Sequence, residues 1–580
     1  MTINVVPSNS GCSTTGATGA ITLSNVPSRF TGVAPLSVFF DASGTTATAT
    51  ATPFHDLDYR WDFGDPAGSP VNGTSWKYGA RAGISSRNSE TGPLAVHVYE
   101  TPGVYTVALT ATDGTNTVSN SCTQIVVQNP DTVFSGTNTV CVSTGTDFTG
   151  CPSGATTRTT SSFNTAMGYI GASTHRLLFK AGDTWTGATS STISTAGPGI
   201  VGSFGSGAKP HIMAGSLGGY FIVLSANDWR ITGLDFDGNS ANPTRAAVQY
   251  AGYDNDLMLN LVTRNLGAMA AGFGGSYNVI QDVVESGINS GINDTAAQIY
   301  WTPSTSSAII GNYIDPQGHG QHVIRQGAAK KCLIVHNTLG NPGATKEVIK
   351  LHQTSSPQTT WDGTYTEKVI IADNHLLPIT EAWQIVVQAQ NNSYPEHLRD
   401  IIVENNWLEA GSANAQIIMS TSNVDGLHPS TVKNNILDMS TSNSGDRGIT
   451  VQAYGPTTVP NNVRVYNNTC YSSASAGFAC VQINTATNTL VYNNLASAPS
   501  STSRSVLIDG GTGTLQASNL LNNTPSALFV SGTPAVPADY ALKAGANPAV
   551  DTGTKVPVLS DFVPNARANG SAWDIGAYER

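Results

Sequence analysis

Apolar and polar residues alternate over short stretches along most of the chain, and turn-forming residues separate these stretches. Examples are "PLSVFFDASGT" (35–45), "LDYRWDFGD" (57–65) and "GVYTVALTATDG" (103–114). Alternation with a period of two predicts half-buried β-strands, whereas amphipathic helices would show a period of 3.6. We therefore predict an all-β protein of short strands linked by turns.

The first such region predicts a small antiparallel sandwich, because its strands recur at short intervals between turn signals. Its motifs "YRWDFGD" (Tyr59–Asp65) and "HVYETPGVYTVALTATD" (His97–Asp113) closely resemble the PKD domain, an immunoglobulin-like module. The resemblance implies a spacer or a carbohydrate-proximal accessory without chemistry of its own. We assign residues 1–130 to this domain.

The central region carries a repeat that is visible at its turns, in "IIGNYI", "IVHNTL", "IADNHL", "VENNWL", "VKNNIL", "VYNNTC" and "VYNNLA". Strand-bearing repeats of 20–50 residues are typical of solenoids, and an Asn at every corner can form a hydrogen-bonded ladder. The spacings between successive Asn residues are 25, 37, 32, 29, 33 and 26. The expected ladder consists of Asn312, Asn337, Asn374, Asn406, Asn435, Asn468 and Asn494.

This pattern resembles the right-handed parallel β-helix of the pectate-lyase-like superfamily, over residues 163–520. The Ser/Thr/Gly-rich residues 131–162 are predicted to be a linker and N-terminal cap. The ending "DIGAYE" (Asp574–Glu579) resembles the closing segment of many secreted β-helix proteins. We expect residues 521–580 to cap the open last rung, as solenoids require.

Composition restricts the classes of partner. Charged residues make up 11% of the chain and the formal net charge is −11, so nucleic acid and anionic membranes are not expected partners. No apolar run approaches about 18 residues, so no membrane span is predicted. The start "MTINVVPSNSGC" lacks a signal-peptide pattern, so either a signal was replaced or the protein is a phage virion component. We expect a secreted monomer, with the phage virion as the alternative.

The seven cysteines suggest three pairs and one single thiol, which favours an oxidising compartment over buried free thiols. The expected pairs are Cys12 with Cys122, Cys141 with Cys151, and Cys470 with Cys480. Cys332 lies in an apolar run and is expected to be a core thiol.

Positive charge is concentrated in one stretch. Residues 318–352 hold five of the 27 Lys and Arg residues, four of the 11 His residues and a single acid, Glu347. Lys330 and Lys331 are expected to decorate a turn. The remaining cations, Arg325, Lys346 and Lys350, lie in or beside predicted strands.

The alternation of apolar and polar residues allows these predicted strands to be aligned with one another as successive rungs. If Ile299, Ile324, Ile349, Ile385, Ile417 and Ile449 point inward, an outward column follows of Tyr300, Arg325, Lys350, Val386, Ile418 and Thr450. A second outward column contains Gly327, His352, Gln388 and Ser420. Arg325 and Lys350 then lie about 4.8 Å apart in strand spacing, and stacking like charges costs free energy unless an anion binds there.

The column predicts an anion-binding groove, although long basic side chains could also lie on a solvated sheet face. The candidate catalytic residues are Lys350, Arg325, His352 and Tyr300. The candidate substrate-binding residues are Gln388, His322, Lys346 and Gln298.

Such a site suits a lyase that cleaves an acidic polysaccharide, with uronic acid or sulfate groups, by β-elimination. Arg325 would bind the carboxylate as a fork, and Lys350, its pKa lowered by that neighbouring cation, would remove the proton. His352 or Tyr300 would protonate the leaving oxygen. The arrangement is similar to that of the β-helical lyases typified by chondroitinase B, although there the Lys precedes the Arg.

Two other functions remain open. A glycoside hydrolase needs two flanking carboxylates about 5–9.5 Å apart, and the candidates Asp235, Asp237, Asp294 and Asp373 form no clear pair. Asp373 could pair with His336 catalytically, but corner hydrogen bonding also accounts for both. A non-catalytic adhesin or phage receptor-binding spike could use the same groove.

No cofactor is firmly implied and no metal ligand is assigned. Calcium is compatible with the Asp- and Asn-rich turns, but no calcium loop of fixed spacing occurs. His319 and His322 lack a third ligand that would make a zinc site.

Overall fold

The computed structural model describes most of the chain. The described residues are 14–16, 19–215, 219–238, 246–272, 274–285, 297–352, 365–379, 383–388, 397–409, 415–421, 426–440, 446–454 and 459–580. They form an N-terminal sandwich, three long parallel sheets and a C-terminal segment.

The sandwich buries the apolar side of its alternating strands. Along Gly103–Thr112, for example, Val107, Leu109 and Ala111 are fully buried, while the residues between them are partly exposed. They pack in one core with Phe40 and Trp61. The strands are Thr14–Gly16, Ile21–Thr22, Val26–Pro27, Thr31–Val33, Leu36–Asp41, Thr46–Ala47, Asp58–Asp62, Ser89–Thr91, Leu94–Tyr99, Gly103–Thr112 and Thr117–Gln128, with a helical turn at Pro53–Asp56.

The three parallel sheets wind into a solenoid. We name them the first, second and third sheets. The first sheet contains Ser191–Ile193, Tyr220–Leu224, Ala246–Tyr250, Ala268–Gly272, Ile299–Trp301, Ile324–Gly327, Ile349–His352, Ile385–Gln388, Ala415–Ser420, Asp446–Val451, Phe478–Ile483 and Arg504–Asp509.

The second sheet lies before each Asn corner and the third sheet follows it. The second sheet contains Thr139–Ser143, Thr156–Thr159, Arg176–Lys180, Gly199–Phe204, Trp229–Thr232, Leu257–Leu259, Val279–Gln281, Ser304–Thr305, Ala308–Ile310, Ala329–Lys330, Leu333–Val335, Tyr365–Ala372, His397–Glu404, Ser430–Lys433, Val463–Tyr466, Leu490–Tyr492 and Leu515–Ala517. The third contains Thr184–Ala188, His211–Ala214, Asp235–Asp237, Val262–Arg264, Val284–Glu285, Tyr313–Ile314, Thr338–Leu339, His375–Leu376, Trp407–Leu408, Ile436–Asp438, Thr469–Tyr471, Leu495–Ser497 and Leu520–Leu521.

One rung runs through the second sheet at Leu333–Val335, the third at Thr338–Leu339 and the first at Ile349–His352, and then re-enters the second sheet. Parallel crossovers of this kind are right-handed in nearly all proteins. The predicted class, an immunoglobulin-like sandwich followed by a right-handed parallel β-helix, is confirmed.

The Asn ladder forms with all seven predicted members and continues to Asn519. The Asn406 amide donates to Asn435 Oδ1 and to the Ile371 carbonyl, while its own Oδ1 accepts from Asn374. Asp373 and Asn405, which precede ladder residues, have φ values of 57° and 54°. Asn and Asp tolerate this left-handed conformation, which explains the "NN" doublets.

The sandwich docks on the second sheet instead of acting as a separate spacer. Phe39, Phe54, Trp76, Val96 and Val98 of the sandwich share one buried apolar cluster with outward-facing second-sheet residues. Those second-sheet residues are Leu257, Leu259, Val279, Ala308, Ile310, Leu333, Val335, Ile370, Ala372 and Ile402.

Ion pairs fix the docked sandwich in place. Arg87 donates two hydrogen bonds to Asp282, at 3.0 and 2.7 Å, and both side chains are almost fully buried. Lys331 lies 2.6 Å from Asp41 of the sandwich. The prediction that Lys331 only decorates a turn is therefore wrong, because it forms an interdomain ion pair.

The C-terminal segment packs along the outer side of the third sheet. Phe529, Tyr540 and Ile575 cluster with Tyr471 and Leu495 of that sheet. Leu520 of the last third-sheet strand packs against the same cluster, and the expectation that the segment caps the last rung stays a prediction. It contains helical turns at Pro525–Leu528 and Pro537–Tyr540, and a fully buried ion pair between Arg567 and Glu579 at 2.9 Å.

The N-terminal end of the solenoid is closed by a short helix, Phe163–Met167. The side chains of Phe163, Ala166 and Met167 join the solenoid core. Further short helices lie at Pro130–Val133 and Gly136–Asn138. Within 131–162, Val140 and Val142 of the strand Thr139–Ser143 join the same core.

Two of the predicted disulfides are present, Cys141–Cys151 and Cys470–Cys480. Cys332 is a buried free thiol, as predicted. The predicted Cys12–Cys122 pair involves Cys12, which lies outside the described residues. In the described part of the chain, no helix has the length and apolarity needed to cross a bilayer.

We predict that Arg87→Ala lowers the free energy of unfolding by about 3–5 kcal/mol, because it leaves the Asp282 carboxylate buried without its partner. Urea unfolding followed by tryptophan fluorescence measures the loss. Arg158→Ala, at an exposed position, is the matched control and should change stability by less than about 0.5 kcal/mol. Equal stabilities of the two variants would contradict the docking role.

We predict that Asn406→Ala costs at least about 2 kcal/mol of stability, because it leaves hydrogen-bonding groups of both neighbouring rungs unsatisfied in the core. Asn519→Ala should cost less, since Asn519 ends the ladder and is half-buried. Thermal unfolding of both variants tests the ladder. A neutral Asn406→Ala would show that the Asn column does not stabilise the stack.

Candidate functional site

The predicted strand register places the basic residues side by side on the first sheet. Ile324 pairs with Ile349, and Ile349 with Ile385, all buried in the core. Tyr300 is the strand partner of Arg325, and Arg325 is the strand partner of Lys350. The structure therefore brings the three predicted residues into one outward column.

Arg325 is held by its neighbours on both sides. Its Nε donates to Nε2 of His352 at 2.7 Å, and its guanidinium carbon lies 5.6 Å from the centre of the Tyr300 ring. Because the guanidinium has no acceptor atom, Nε2 must supply a lone pair, so His352 is neutral with its proton on Nδ1. His352 is only 2% exposed.

Lys350 is anchored by two acceptors. Its Nζ lies 2.9 Å from Oε1 of Glu347 and 2.6 Å from Oε1 of Gln388. The side chain is 8% exposed, so the ammonium sits at the floor of the groove. Both contacts are to acceptor oxygens, so the Lys350 nitrogen donates to Glu347 and Gln388.

Glu347 is the functional candidate that sequence reasoning missed. Its second carboxylate oxygen lies 2.7 Å from Nδ1 of His322, so it bridges His322 and Lys350. Burial alone would raise the pKa of Glu347, but hydrogen bonding to His322 and the charge of Lys350 outweigh burial and lower the pKa to about 2. The signal was present in the sequence, since Glu347 is the single acid of the basic stretch.

An open cavity of about 310 Å³ lies beside this network. Its lining residues are Gln321, His322, Arg325, Thr345, Lys346, Glu347 and Lys350. Four of the predicted site residues therefore share one cavity. Gln298 is placed differently from its prediction: it is fully buried and donates to the Gly267 carbonyl, because it turns inward before its strand begins.

One rung beyond Lys350, the outward residues of the first sheet become apolar. The next outward residues are Val386 and Ile418, which pack with the half-buried Trp383 in an apolar cluster. Charged and apolar surfaces thus adjoin along the column.

The hydrolase candidates that the structure describes lie away from the first sheet. Asp235 and Asp237 are on the third sheet, where both carboxylates lie within hydrogen-bonding distance of His211. Asp373 is at a corner and pairs with Arg81 of the sandwich at 2.6 Å. Asp294 lies outside the described residues.

Among the described residues, one group has a geometry that could hold a metal ion: Glu90, His336 and Asp373, with ligand atoms within 4.8 Å of one another. His336 Nε2 lies 3.0 Å from Glu90, and Arg81 already provides a cation for Asp373. These contacts join the sandwich to the solenoid, so hydrogen bonding and ion pairing at the corner account for His336 and Asp373.

Comparison with known proteins agrees with this architecture. Residues 27–126 match the PKD domain family. An N-terminal PKD domain docked on a right-handed parallel β-helix therefore defines the class of protein. No curated protein sequence gives a significant match to the chain.

Several solved structures are similar to this chain at low sequence identity. Pectate lyase Pel9A is 13% identical, with 76% of this chain and 96% of that chain covered and a TM-score of 0.38. The Family 28 exopolygalacturonase of Yersinia enterocolitica is 11% identical, with 87% and 98% covered and a TM-score of 0.39. The GH136 lacto-N-biosidase of Eubacterium ramulus is 10% identical, with 66% and 68% covered and a TM-score of 0.37. Such likeness concerns the fold alone.

We predict that Glu347→Gln changes how the stability of the folded protein depends on pH. The folded pKa of Glu347 is lowered from 4.5 to about 2, so its ion pairs stabilise the native protein above pH 4.5 and are lost as the pH falls towards 2. This component amounts to at most about 3 kcal/mol. Melting temperatures of both proteins across this range should converge on acidification, and parallel curves would contradict the assignment.

Proposed function

We propose that the groove on the first sheet binds an acidic polysaccharide and cleaves it by β-elimination. The observation that carries this proposal is the outward column in which Arg325 and Lys350 are direct strand partners in a chain of net charge −11. Two adjacent cations repel each other, and an anionic group placed between them removes that repulsion.

Arg325 is the residue suited to recognise the acidic group. Its planar guanidinium can donate two parallel hydrogen bonds to one carboxylate. Lys350 adds a second positive charge on the neighbouring rung. Both cations withdraw electron density from a bound carboxylate, and this makes the proton on the adjacent carbon easier to remove.

His352 is the base that this proposal favours. It is neutral, and its lone pair on Nε2 is held by Arg325 in the absence of substrate. When Arg325 turns towards a substrate carboxylate, Nε2 is uncovered and can accept the proton from C5. Lys350, fixed by Glu347 and Gln388, then serves as a charge instead of the base.

Tyr300 is the candidate proton donor. Its ring lies beside Arg325 at the edge of the groove. In the elimination, His352 takes the C5 proton, the C5–H electrons form the C4–C5 double bond, and the C4–O4 bond breaks. The Tyr300 hydroxyl gives its proton to O4, and solvent later restores both groups.

A second candidate is binding without cleavage, and the near-complete burial of His352 favours it. If Arg325 does not move, the base stays covered and the groove only grips the glycan. A hydrolase finds less support, because Glu347 is the one carboxylate among the described residues that line the cavity, and its low pKa keeps it ionised.

The test combines cleavage and binding. The protein is incubated with alginate, polygalacturonate, hyaluronan, chondroitin and sulfated algal polysaccharides, and both ultraviolet absorbance and reducing ends are recorded. We expect absorbance from the new double bond together with reducing ends. Arg325→Ala should lose at least about a hundredfold in activity, and Lys350→Ala should lose both activity and binding.

The matched control is Lys543→Ala, an exposed lysine of the C-terminal segment, which should retain full activity. Reducing ends without absorbance would identify a hydrolase. Binding without either product would identify an adhesin. Unchanged activity in both groove variants would place the site elsewhere.

A further inference from the structure

Within the outward column of the first sheet, the two cations lie on neighbouring rungs. In the outward column, Arg325 and Lys350 are preceded by Tyr300 and followed by Val386 and Ile418. Strands in a sheet lie about 4.8 Å apart, so the charged part of the column is about 5–10 Å wide. Lys346, on the rim of the adjacent cavity, lies on one of the same two rungs.

The sequence contains no Lys or Arg in residues 286–296, 353–364, 380–382, 389–396, 410–414 or 441–445. These segments instead contain Asp294, Asp362, Glu381 and Glu396. The next first-sheet cation after Lys350 is Arg447, which lies three rungs further on and donates to Gln482. On the two rungs between them the column presents Val386 and Ile418, so a polymer with a carboxylate on every unit would meet no column cation there.

The apolar neighbour of Lys350 would be costly for a second anion. Val386 is fully buried and Ile418 is 3% exposed, and the half-buried Trp383 packs against this pair. An ionised group placed against such a surface loses water without gaining a partner. The face of an indole favours the C–H face of a neutral sugar ring instead.

We infer that the substrate alternates acidic and neutral sugar units, with the acidic unit bound by Arg325 and Lys350 and the adjacent neutral unit stacked on Trp383. This inference rests on the proposed function, because it concerns the same groove. It assigns Trp383 as a specificity-determining residue. It excludes polymers with a charge on every unit as preferred substrates.

The experiment compares two kinds of uronate polymer. Hyaluronan and unsulfated chondroitin alternate a uronate with a neutral N-acetylated sugar, whereas polygalacturonate and alginate carry a carboxylate on every unit. Oligosaccharides of equal length from each polymer are titrated by calorimetry at fixed ionic strength. We expect the alternating oligosaccharides to bind at least about tenfold more tightly.

Trp383→Ala should weaken binding of the alternating oligosaccharides about tenfold and remove the preference, while Trp383→Phe should retain most of it. The melting temperature of each variant shows that it is folded. Two results would overturn the inference: equal binding of both polymer classes, or an unchanged preference in Trp383→Ala. If Arg325→Ala still abolishes binding in that case, the proposed function stands without the inference. If Arg325→Ala changes no binding, or no polymer binds, the proposed function fails with it.

Discussion

The hydrogen-bonded Asn ladder is the interaction on which the rest of the architecture depends. Each ladder amide joins two rungs and satisfies a backbone carbonyl in the core, as Asn406 does for Ile371. The ladder sets where each rung turns, and therefore which residues of successive strands become partners. Arg325 and Lys350 are neighbours only because the corners at Asn337 and Asn374 are aligned.

The three sheets have different surroundings, and this difference positions the groove. The sandwich covers much of the second sheet through an apolar contact with buried ion pairs. The C-terminal segment covers part of the third sheet. The first sheet keeps an open cavity with charged walls. The PKD domain thus acts as a structural part of the solenoid, since its removal would expose the apolar second sheet.

Much of the fold could be predicted from the sequence because it depends on local periods. The alternation of apolar and polar residues predicts the strands, and the recurring Asn predicts the rungs. Together they predict that Tyr300, Arg325 and Lys350 are strand partners, as observed. Contacts between distant segments follow no period. For that reason the docking of Lys331 on Asp41 and the position of the C-terminal segment could not be deduced.

Within the site, the sequence located the cations but not their partners. Glu347 lies in the turn before its strand, where alternation does not define the direction of a side chain, and so its bridge between His322 and Lys350 appeared only in three dimensions. Gln298 failed as a prediction for the same reason, since it also precedes its strand.

The two column cations of the groove already have partners before any ligand arrives. Lys350 is paired with Glu347, and Arg325 donates to His352 and faces the Tyr300 ring. An incoming anion must therefore exchange partners with Arg325 instead of filling an unmet charge, and the net gain from that exchange is modest. Affinity must then come largely from neighbouring contacts. For this reason the apolar surface at Trp383 contributes strongly to the choice of glycan.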